Sequence, residues 1–125
     1  MTKRPAGGTT SAATHLVVFE DSRWRQLRPL TDLLPVPALR FGASDLLGRW
    51  HDSTGLPLAA IEARRVTLSA WRDAPAVEPA AANSSATALV VNAAALPGPW
   101  LEEASAESGP ALWRTGERIA GARLP

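Results

Sequence analysis

Two short apolar runs set the main constraint on the fold of this chain. Residues 15–20, "HLVVFE", and residues 87–93, "TALVVNA", have the length and the β-branched content of buried strands. A segment with helical spacing lies between them, and a second short helical segment follows the later run. Strands that alternate with helices in this order predict an α/β domain with a mostly parallel sheet.

The segment "ASDLLGRWHDSTG", residues 43–55, has the clearest helical pattern. Ser44 or Asp45 near its start and Gly55 at its end are typical of helix boundaries. Its apolar residues recur at the spacing of one helical face, which we expect to be buried. These residues are Ala43, Leu46, Leu47 and Trp50.

Three later segments complete the expected order of elements. Residues 56–71, "LPLAAIEARRVTLSAW", fit either a short strand followed by a helical turn or one longer helix, and Pro57 favours a break before it. The segment "LPGPWLEEASAES" predicts a short helix, with Pro99 near its first turn. The segment "ALWRTGERIAGARLP" predicts two strands around an Arg-Thr-Gly-Glu turn.

The composition limits the classes of function. A chain of 125 residues, 46% hydrophobic and 20% charged, favours one globular domain. We expect this domain over residues 15–125, after a flexible N-terminal tail at residues 1–14. The net charge of +1 and the lack of a basic run argue against nucleic acid as a partner. The absence of cysteine excludes disulfides and thiolate metal sites and fits a cytoplasmic protein, and the apolar runs are too short to span a membrane.

The proline-rich loop, "RPLTDLLPVPALRFG" at residues 28–42, is the most irregular part of the chain. It is mostly apolar and contains three prolines. Proline has no backbone N–H and disfavours helix at the residue before it, so neither an ordinary strand nor an ordinary helix is expected. Because the loop follows the first strand of a parallel sheet, we expect it at the carboxyl edge of that sheet, where ligands bind.

Polar residues at this edge are the candidates for binding. Arg40 could contact a phosphate or carboxylate, with Gly42 allowing close approach, or it could lie along the apolar loop or pair with Glu20 or Asp21. The residue types alone favour the second interpretation of Arg40. Asp21 is a candidate ligand of a divalent cation or a ribose hydroxyl, or a turn residue that ends a strand. Asn92 could hydrogen-bond a ligand, although asparagine commonly closes a strand.

The histidines and tryptophans indicate packing. His15 and His51 are the two histidines, which are too few for a histidine-rich metal cluster. We expect His15 to begin a strand and His51 to lie on the polar side of its helix. The five tryptophans fall mostly at core-facing spacing, and Trp24 and Trp100 are the expected exceptions.

A set of short motifs runs through residues 15–124 in a fixed order. It comprises an apolar strand ending in Phe-x-Asp, then Pro-Leu-Thr, Leu-Arg-x-Gly, a helix ending in Trp, Val-Asn-Ala, Leu-Pro and the final "GERIAGARL". The matching residues are Phe19, Asp21, Pro29, Leu30, Thr31, Leu39, Arg40, Gly42, Trp50, Val91, Asn92, Ala93, Leu96 and Pro97. Together these motifs resemble a family of sugar nucleotidyltransferases, which is similar to the uridyltransferase half of the bifunctional N-acetylglucosamine-1-phosphate enzyme.

The resemblance implies a Rossmann-like, three-layer α/β domain, incomplete in this chain. It implies transfer of a nucleotidyl group from a nucleoside triphosphate to a sugar 1-phosphate, with pyrophosphate released and Mg²⁺ as cofactor. Arg40 and Asp21 would be catalytic, the first as a phosphate contact and the second as a metal or ribose ligand. Thr31, Gly42 and Asn92 would contact substrate. The proline-rich loop would be a fixed frame that presents Arg40 to the nucleotide.

Departures from the family pattern keep a second function open. Leu34 stands where the family has an arginine before Pro-Val, Glu20 replaces the first acid of an Asp-Asp pair, and no Gly-rich loop with a downstream lysine is present. Family members also continue into the rest of the transferase domain and a left-handed β-helix acyltransferase. The resemblance therefore implies a piece of a longer enzyme. The alternative is a non-catalytic module that binds nucleotide or protein.

Overall fold

The computed structural model describes residues 2–5, 13–78, 87–106 and 109–124. None of the helices in these ranges is long and apolar enough to cross a membrane. The strands are β1 (Thr2–Pro5), β2 (His15–Phe19), β3 (Arg40–Phe41), β4 (Ser44–Asp45), β5 (Leu58–Glu62), β6 (Ala88–Asn92), β7 (Ala111–Thr115) and β8 (Arg118–Leu124). The α-helices are α1 (Leu46–Thr54), α2 (Arg65–Ala70) and α3 (Pro99–Ala106).

The main sheet has six strands in the order β1-β7-β8-β6-β2-β5. β2 pairs in parallel with β5 on one side and with β6 on the other. β8 pairs antiparallel with both β6 and β7, and β1 adds an antiparallel edge next to β7. The predicted α/β class is confirmed. The three parallel strands, β6, β2 and β5, form one side of the sheet and antiparallel strands extend the other, which is consistent with an incomplete Rossmann-like domain.

The helix predicted over residues 43–55 is confirmed as α1. Asp45 caps it, because its Oδ1 accepts a hydrogen bond from the Gly48 N–H at 2.7 Å. Gly55 ends it in the left-handed conformation, with φ of +64°. Ala43 was expected on the buried helical face, but it lies exposed in the turn between β3 and β4 because the cap starts the helix two residues later. The residues that α1 buries are Leu46, Leu47 and Trp50.

The ambiguous segment at residues 56–71 forms a strand followed by a helix, β5 and then α2. The break at Pro57 fits this outcome, since β5 begins at the next residue. The hairpin expected near the end of the chain is also confirmed, as β7 and β8 around Gly116 and Glu117.

Part of the predicted N-terminal tail lies within the described residues. Residues 2–5 form β1, which pairs with β7 along Ala111–Arg114. The segment has no apolar periodicity, and the pairing forms at the open backbone edge that β7 presents. Residue 1 and residues 6–12 of the predicted tail lie outside the described residues.

The core lies on one face of the main sheet, beneath α1 and α3. Trp100 of α3 lies between Trp50 of α1 and Trp113 of β7, with ring centroids 5.6 and 5.9 Å away. Gly121 of β8 makes room for it, because a Cβ there would lie 2.9 Å from the Trp100 ring. Trp50 and Trp113 are buried. Trp24 and Trp100, the expected exceptions to core packing, are partly exposed but also pack against this core. The buried strand residues of this core are Leu16, Val18, Leu58, Leu89, Val91, Ala111 and Trp113.

Candidate functional site

The carboxyl ends of the parallel strands bring the polar side chains together, as the sequence predicts. Glu20 and Asp21 directly follow β2, and Asn92 is the last residue of β6. The Asn92 Nδ2 donates to the Asp21 Oδ2 at 2.9 Å across 71 positions of sequence. Because β8 runs antiparallel to β6, its first residue, Arg118, reaches the same edge.

Glu20 fastens the proline-rich loop to the end of β2. Its side chain is 1% exposed and forms an ion pair with Arg64, whose Nε lies 2.7 Å from the Glu20 Oε1. The other carboxylate oxygen accepts the Val36 N–H at 2.7 Å. Arg64 also donates to the backbone carbonyls of Thr31 and Leu34, at 2.8 and 3.3 Å. One carboxylate and one guanidinium thus hold the loop at several points.

The loop between β2 and β3 is a set of short 3₁₀ turns rather than an extended strand. These turns span Ser22–Leu27, Leu30–Asp32 and Val36–Ala38. Thr31 is fully buried, and its hydroxyl donates to the carbonyl of Trp24 at 2.8 Å, so the structure gives it a role inside the loop. Its predicted substrate contact stays a prediction.

Asp21 lies at the centre of a second network. Arg118 binds it through two hydrogen bonds, from Nε to Oδ2 at 2.6 Å and from Nη2 to Oδ1 at 3.0 Å. The Arg23 N–H donates to Oδ1 at 3.2 Å, and Asn92 supplies the bond described above. Four donors thus occupy the carboxylate, which has about four acceptor positions. The geometry does not fit Asp21 as a ligand of Mg²⁺, since a cation would have to displace Arg118. Within the described residues, no group of three or more His, Asp and Glu is placed to hold a metal.

The two acids are held as carboxylates by their donors. Burial alone would raise the pKa of Glu20, but hydrogen bonds from Arg64 and the Val36 backbone outweigh it and lower that pKa below its ordinary 4.5. Burial also acts to raise the pKa of Asp21, and hydrogen bonds from Arg118 and Asn92 lower it below its ordinary 3.8. Both groups are therefore ionised at neutral pH.

These pKa directions predict an acid-sensitive fold. A carboxyl group whose pKa is lower in the folded state stabilises the fold above its unfolded-state pKa, and that stabilisation is lost as the pH falls through the folded-state value. We expect the free energy of unfolding to decrease below pH 4.5, the ordinary pKa of Glu20, and to decrease further below 3.8, that of Asp21. Urea unfolding followed by tryptophan fluorescence from about pH 7 to about pH 3 measures this. Asp21→Asn should give lower stability at neutral pH and a shallower acid dependence, and a variant with the wild-type dependence would contradict the assignment.

Arg40 and Gly42 lie together at the end of the proline-rich loop. Arg40 is exposed, and its Nη1 donates to the carbonyl of Ala43 at 3.2 Å. The alternative of a pair between Arg40 and Glu20 or Asp21 is wrong, since those acids pair with Arg64 and Arg118. Gly42 has φ of +74°, so the β3–β4 turn explains this glycine without any ligand.

Two adjoining clefts open at this edge of the sheet. The hairpin cleft, about 670 Å³, lies between the loop after β6 and the β7–β8 turn, and its walls include Asn92 and Glu117. The loop cleft, about 370 Å³, lies against the proline-rich loop, and its walls include Arg40. Four residues line both clefts, so the two spaces are neighbours. They are Arg23, Ala94, Leu96 and Arg118.

A third cavity, about 540 Å³, lies at the start of β5 and against α1, away from the carboxyl edge of the sheet. Its charged and titratable walls are Asp45, His51, Asp73 and Glu78. Three carboxylates disfavour a phosphorylated ligand, and the start of β5 is not the edge at which ligands of parallel sheets bind. The joined clefts are therefore the better candidate site.

The sequence prediction missed the two arginines that organise the site. Arg118 lies in "GERIAGARL", which the family resemblance includes without assigning it a role. Arg64 follows β5 in a segment whose secondary structure was ambiguous, and no local pattern marks it. Both contacts join residues far apart in sequence, 97 positions for Asp21 and Arg118 and 44 positions for Glu20 and Arg64.

Comparison with known proteins supports the family resemblance. No curated protein and no solved structure matches the chain. A family model described as sugar nucleotidyl transferase matches residues 16–125, which is nearly the whole sequence. It includes the acids after β2, the proline-rich loop, the end of β6 and the β7–β8 hairpin. The chain therefore belongs to the sugar nucleotidyl transferase family.

Proposed function

We propose that the joined clefts bind a nucleoside triphosphate and a sugar 1-phosphate, and that they serve nucleotidyl transfer between them. An oxygen of the sugar phosphate would attack the α-phosphorus of the triphosphate, and the bond to the β-phosphate oxygen would break, releasing pyrophosphate. The observation that carries the proposal is a pair of clefts at the carboxyl edge of the sheet, lined by the three arginines Arg23, Arg40 and Arg118, in a member of this family.

The walls of the two clefts differ in a way that suits two parts of a nucleotide. The loop cleft has apolar walls from Leu27, Leu39 and Leu46, which favour a flat base or another apolar group. The hairpin cleft has the more polar wall, with Asn92 and Glu117. Arg40 is proposed as a phosphate contact at the loop cleft. Asn92 is proposed to act by holding Asp21, since its Nδ2 donates to Asp21 and to the carbonyl of Ile119.

Mg²⁺ is proposed only as a companion of the triphosphate, because the Asp21 carboxylate is already occupied. The proposal assigns binding, rather than complete turnover, to this chain alone. We also propose a cytoplasmic location, which the lack of cysteine favours.

Calorimetric titration of the chain with a panel of nucleoside triphosphates and sugar 1-phosphates tests the proposal. We expect one triphosphate to bind, and Arg40→Ala to weaken its affinity by about tenfold, which is typical of a lost charge-assisted contact. Arg72→Ala is the matched control, because Arg72 is exposed after α2 and lines neither cleft. Equal binding by Arg40→Ala and the wild type would remove Arg40 from the site, and a folded chain that binds no member of the panel would overturn the proposal.

A non-catalytic binding module is the second candidate, and two observations favour it. Both acids after β2 are committed to ion pairs, and the side chain of Leu34 is apolar where the family has an arginine. The two candidates differ in pyrophosphate release from a triphosphate and a sugar 1-phosphate. A chain that binds nucleotide and releases no pyrophosphate, alone or within a longer protein, would be a module.

A further inference from the structure

Arg118 is held along one side of its guanidinium group. Its Nε and Nη2 both donate to Asp21, at 2.6 and 3.0 Å, and the side chain is 34% exposed. This paired contact fixes the plane of the guanidinium as well as its position. Arg118 starts β8, so the sheet holds its backbone at the same edge.

The other side of the guanidinium remains available. Arginine has five N–H donors, and the contact with Asp21 uses those of Nε and one of Nη2. Within the part of the chain that the structure describes, Nη1 of Arg118 has no hydrogen-bond partner. The Nη1–Nη2 side of an arginine matches two oxygens of a phosphate group.

The position of Arg118 is shared between the two clefts. It lines both of them, as does Arg23, and Arg40 lines the loop cleft. Glu117, in the β7–β8 turn, is the acid of the hairpin cleft, and Asp21 is neutralised by its pair with Arg118. The pair of Asp21 and Arg118 has no net charge, and the other charged residues of the clefts are Arg23, Arg40 and Glu117. Their net positive charge favours an anionic ligand.

We infer that Asp21 is a positioning residue rather than a metal ligand, and that it holds Arg118 so that the free side of the guanidinium binds a phosphate group at the junction of the two clefts. This inference rests on the proposed function, since the phosphate would belong to the nucleotide or the sugar phosphate. It assigns a phosphate contact to Arg118, a residue of the β7–β8 hairpin.

Inorganic pyrophosphate, titrated calorimetrically without metal into the full chain, is the direct probe. We expect Arg118→Gln to weaken binding by at least about tenfold, and Arg118→Lys to recover little of it because lysine lacks the paired donors. Asp21→Asn should weaken binding several-fold in the wild-type background. The same change made on top of Arg118→Gln should weaken it no further, because Asp21 acts through Arg118. Arg72→Gln removes the same charge away from both clefts and should bind as the wild type does.

Each outcome decides between the possibilities. Wild-type affinity in Arg118→Gln, or no pyrophosphate binding by the folded wild type, overturns the inference. A further loss from Asp21→Asn on top of Arg118→Gln also overturns it, as does Mg²⁺ binding, titrated alone, that disappears in Asp21→Asn. Pyrophosphate binding that depends on Arg118, with no nucleotide or sugar phosphate bound, supports the inference and overturns the proposed function. Thermal unfolding of every variant, followed by circular dichroism, checks that each variant is folded at the temperature of the titration.

Discussion

Arg64→Ala will lower the free energy of unfolding by about 3 to 5 kcal/mol, as expected when one partner of a buried ion pair is removed. The Glu20 side chain is 1% exposed, so without Arg64 a buried carboxylate loses its counterion. The substitution also removes donors to the carbonyls of Thr31 and Leu34, and the stacking of the guanidinium on Trp24 at 3.9 Å. Urea unfolding at neutral pH, followed by circular dichroism, measures the loss.

The matched variants separate the charge from the packing. Arg64→Lys keeps the charge but not the paired geometry, and we expect it to recover about half of the loss. Glu20→Gln combined with Arg64→Ala should be less destabilised than Arg64→Ala alone, because no unpaired charge is left buried. A loss under about 1 kcal/mol in Arg64→Ala would show that the pair behaves as an exposed one and that the loop is held by its apolar contacts.

Trp50→Ala will also cost about 3 to 5 kcal/mol, the range for removing a large aromatic side chain from a core. Trp50 is fully buried and packs edge-on against Trp100 at an interplanar angle of 63°. Its removal leaves a cavity between α1 and α3, on the face of the sheet that carries the core. Thermal and urea unfolding of the variant measure the effect.

Trp50→Phe is the informative comparison, because the indole N–H of Trp50 has no hydrogen-bond partner within the described residues. Phenylalanine keeps most of the ring and removes a buried donor that is costly to leave unpaired. We expect a cost of about 1 to 2 kcal/mol, which is less than that of alanine. Equal costs for the two variants would contradict this expectation, because they would mean that the retained ring contributes nothing to stability.

The local part of the fold could be predicted from the sequence. The cap at Asp45, the buried face of α1 and the stop at Gly55 are all encoded within a few residues. The same is true of β2, β6 and the final hairpin, whose strands have the apolar content of buried segments. The pairing of residues 2–5 with β7 could not be predicted in this way, because it depends on a backbone edge that exists only after the sheet has formed.

The sequence predicted where in the fold the candidate site lies, but not which side chains contact each other there. The rule that parallel strands end at one edge brought Asp21 and Asn92 together, and their 2.9 Å contact confirms it. The same rule gives no information about which arginine meets which acid, since Arg64 and Arg118 reach the edge from later elements. The arginine that the motifs favoured, Arg40, is exposed and makes no ion pair with the acids.

The distance in sequence between Asp21 and Arg118 has a consequence for how the molecule assembles. Contacts that close long loops form late and slow the folding of a domain. This pair closes a loop of 97 positions, and it needs β2, β6 and β8 to be aligned first. Arg118, the arginine proposed to bind phosphate, therefore comes into place only in chains that have completed the sheet. Occupancy of this site would then distinguish completely folded molecules from partly folded ones.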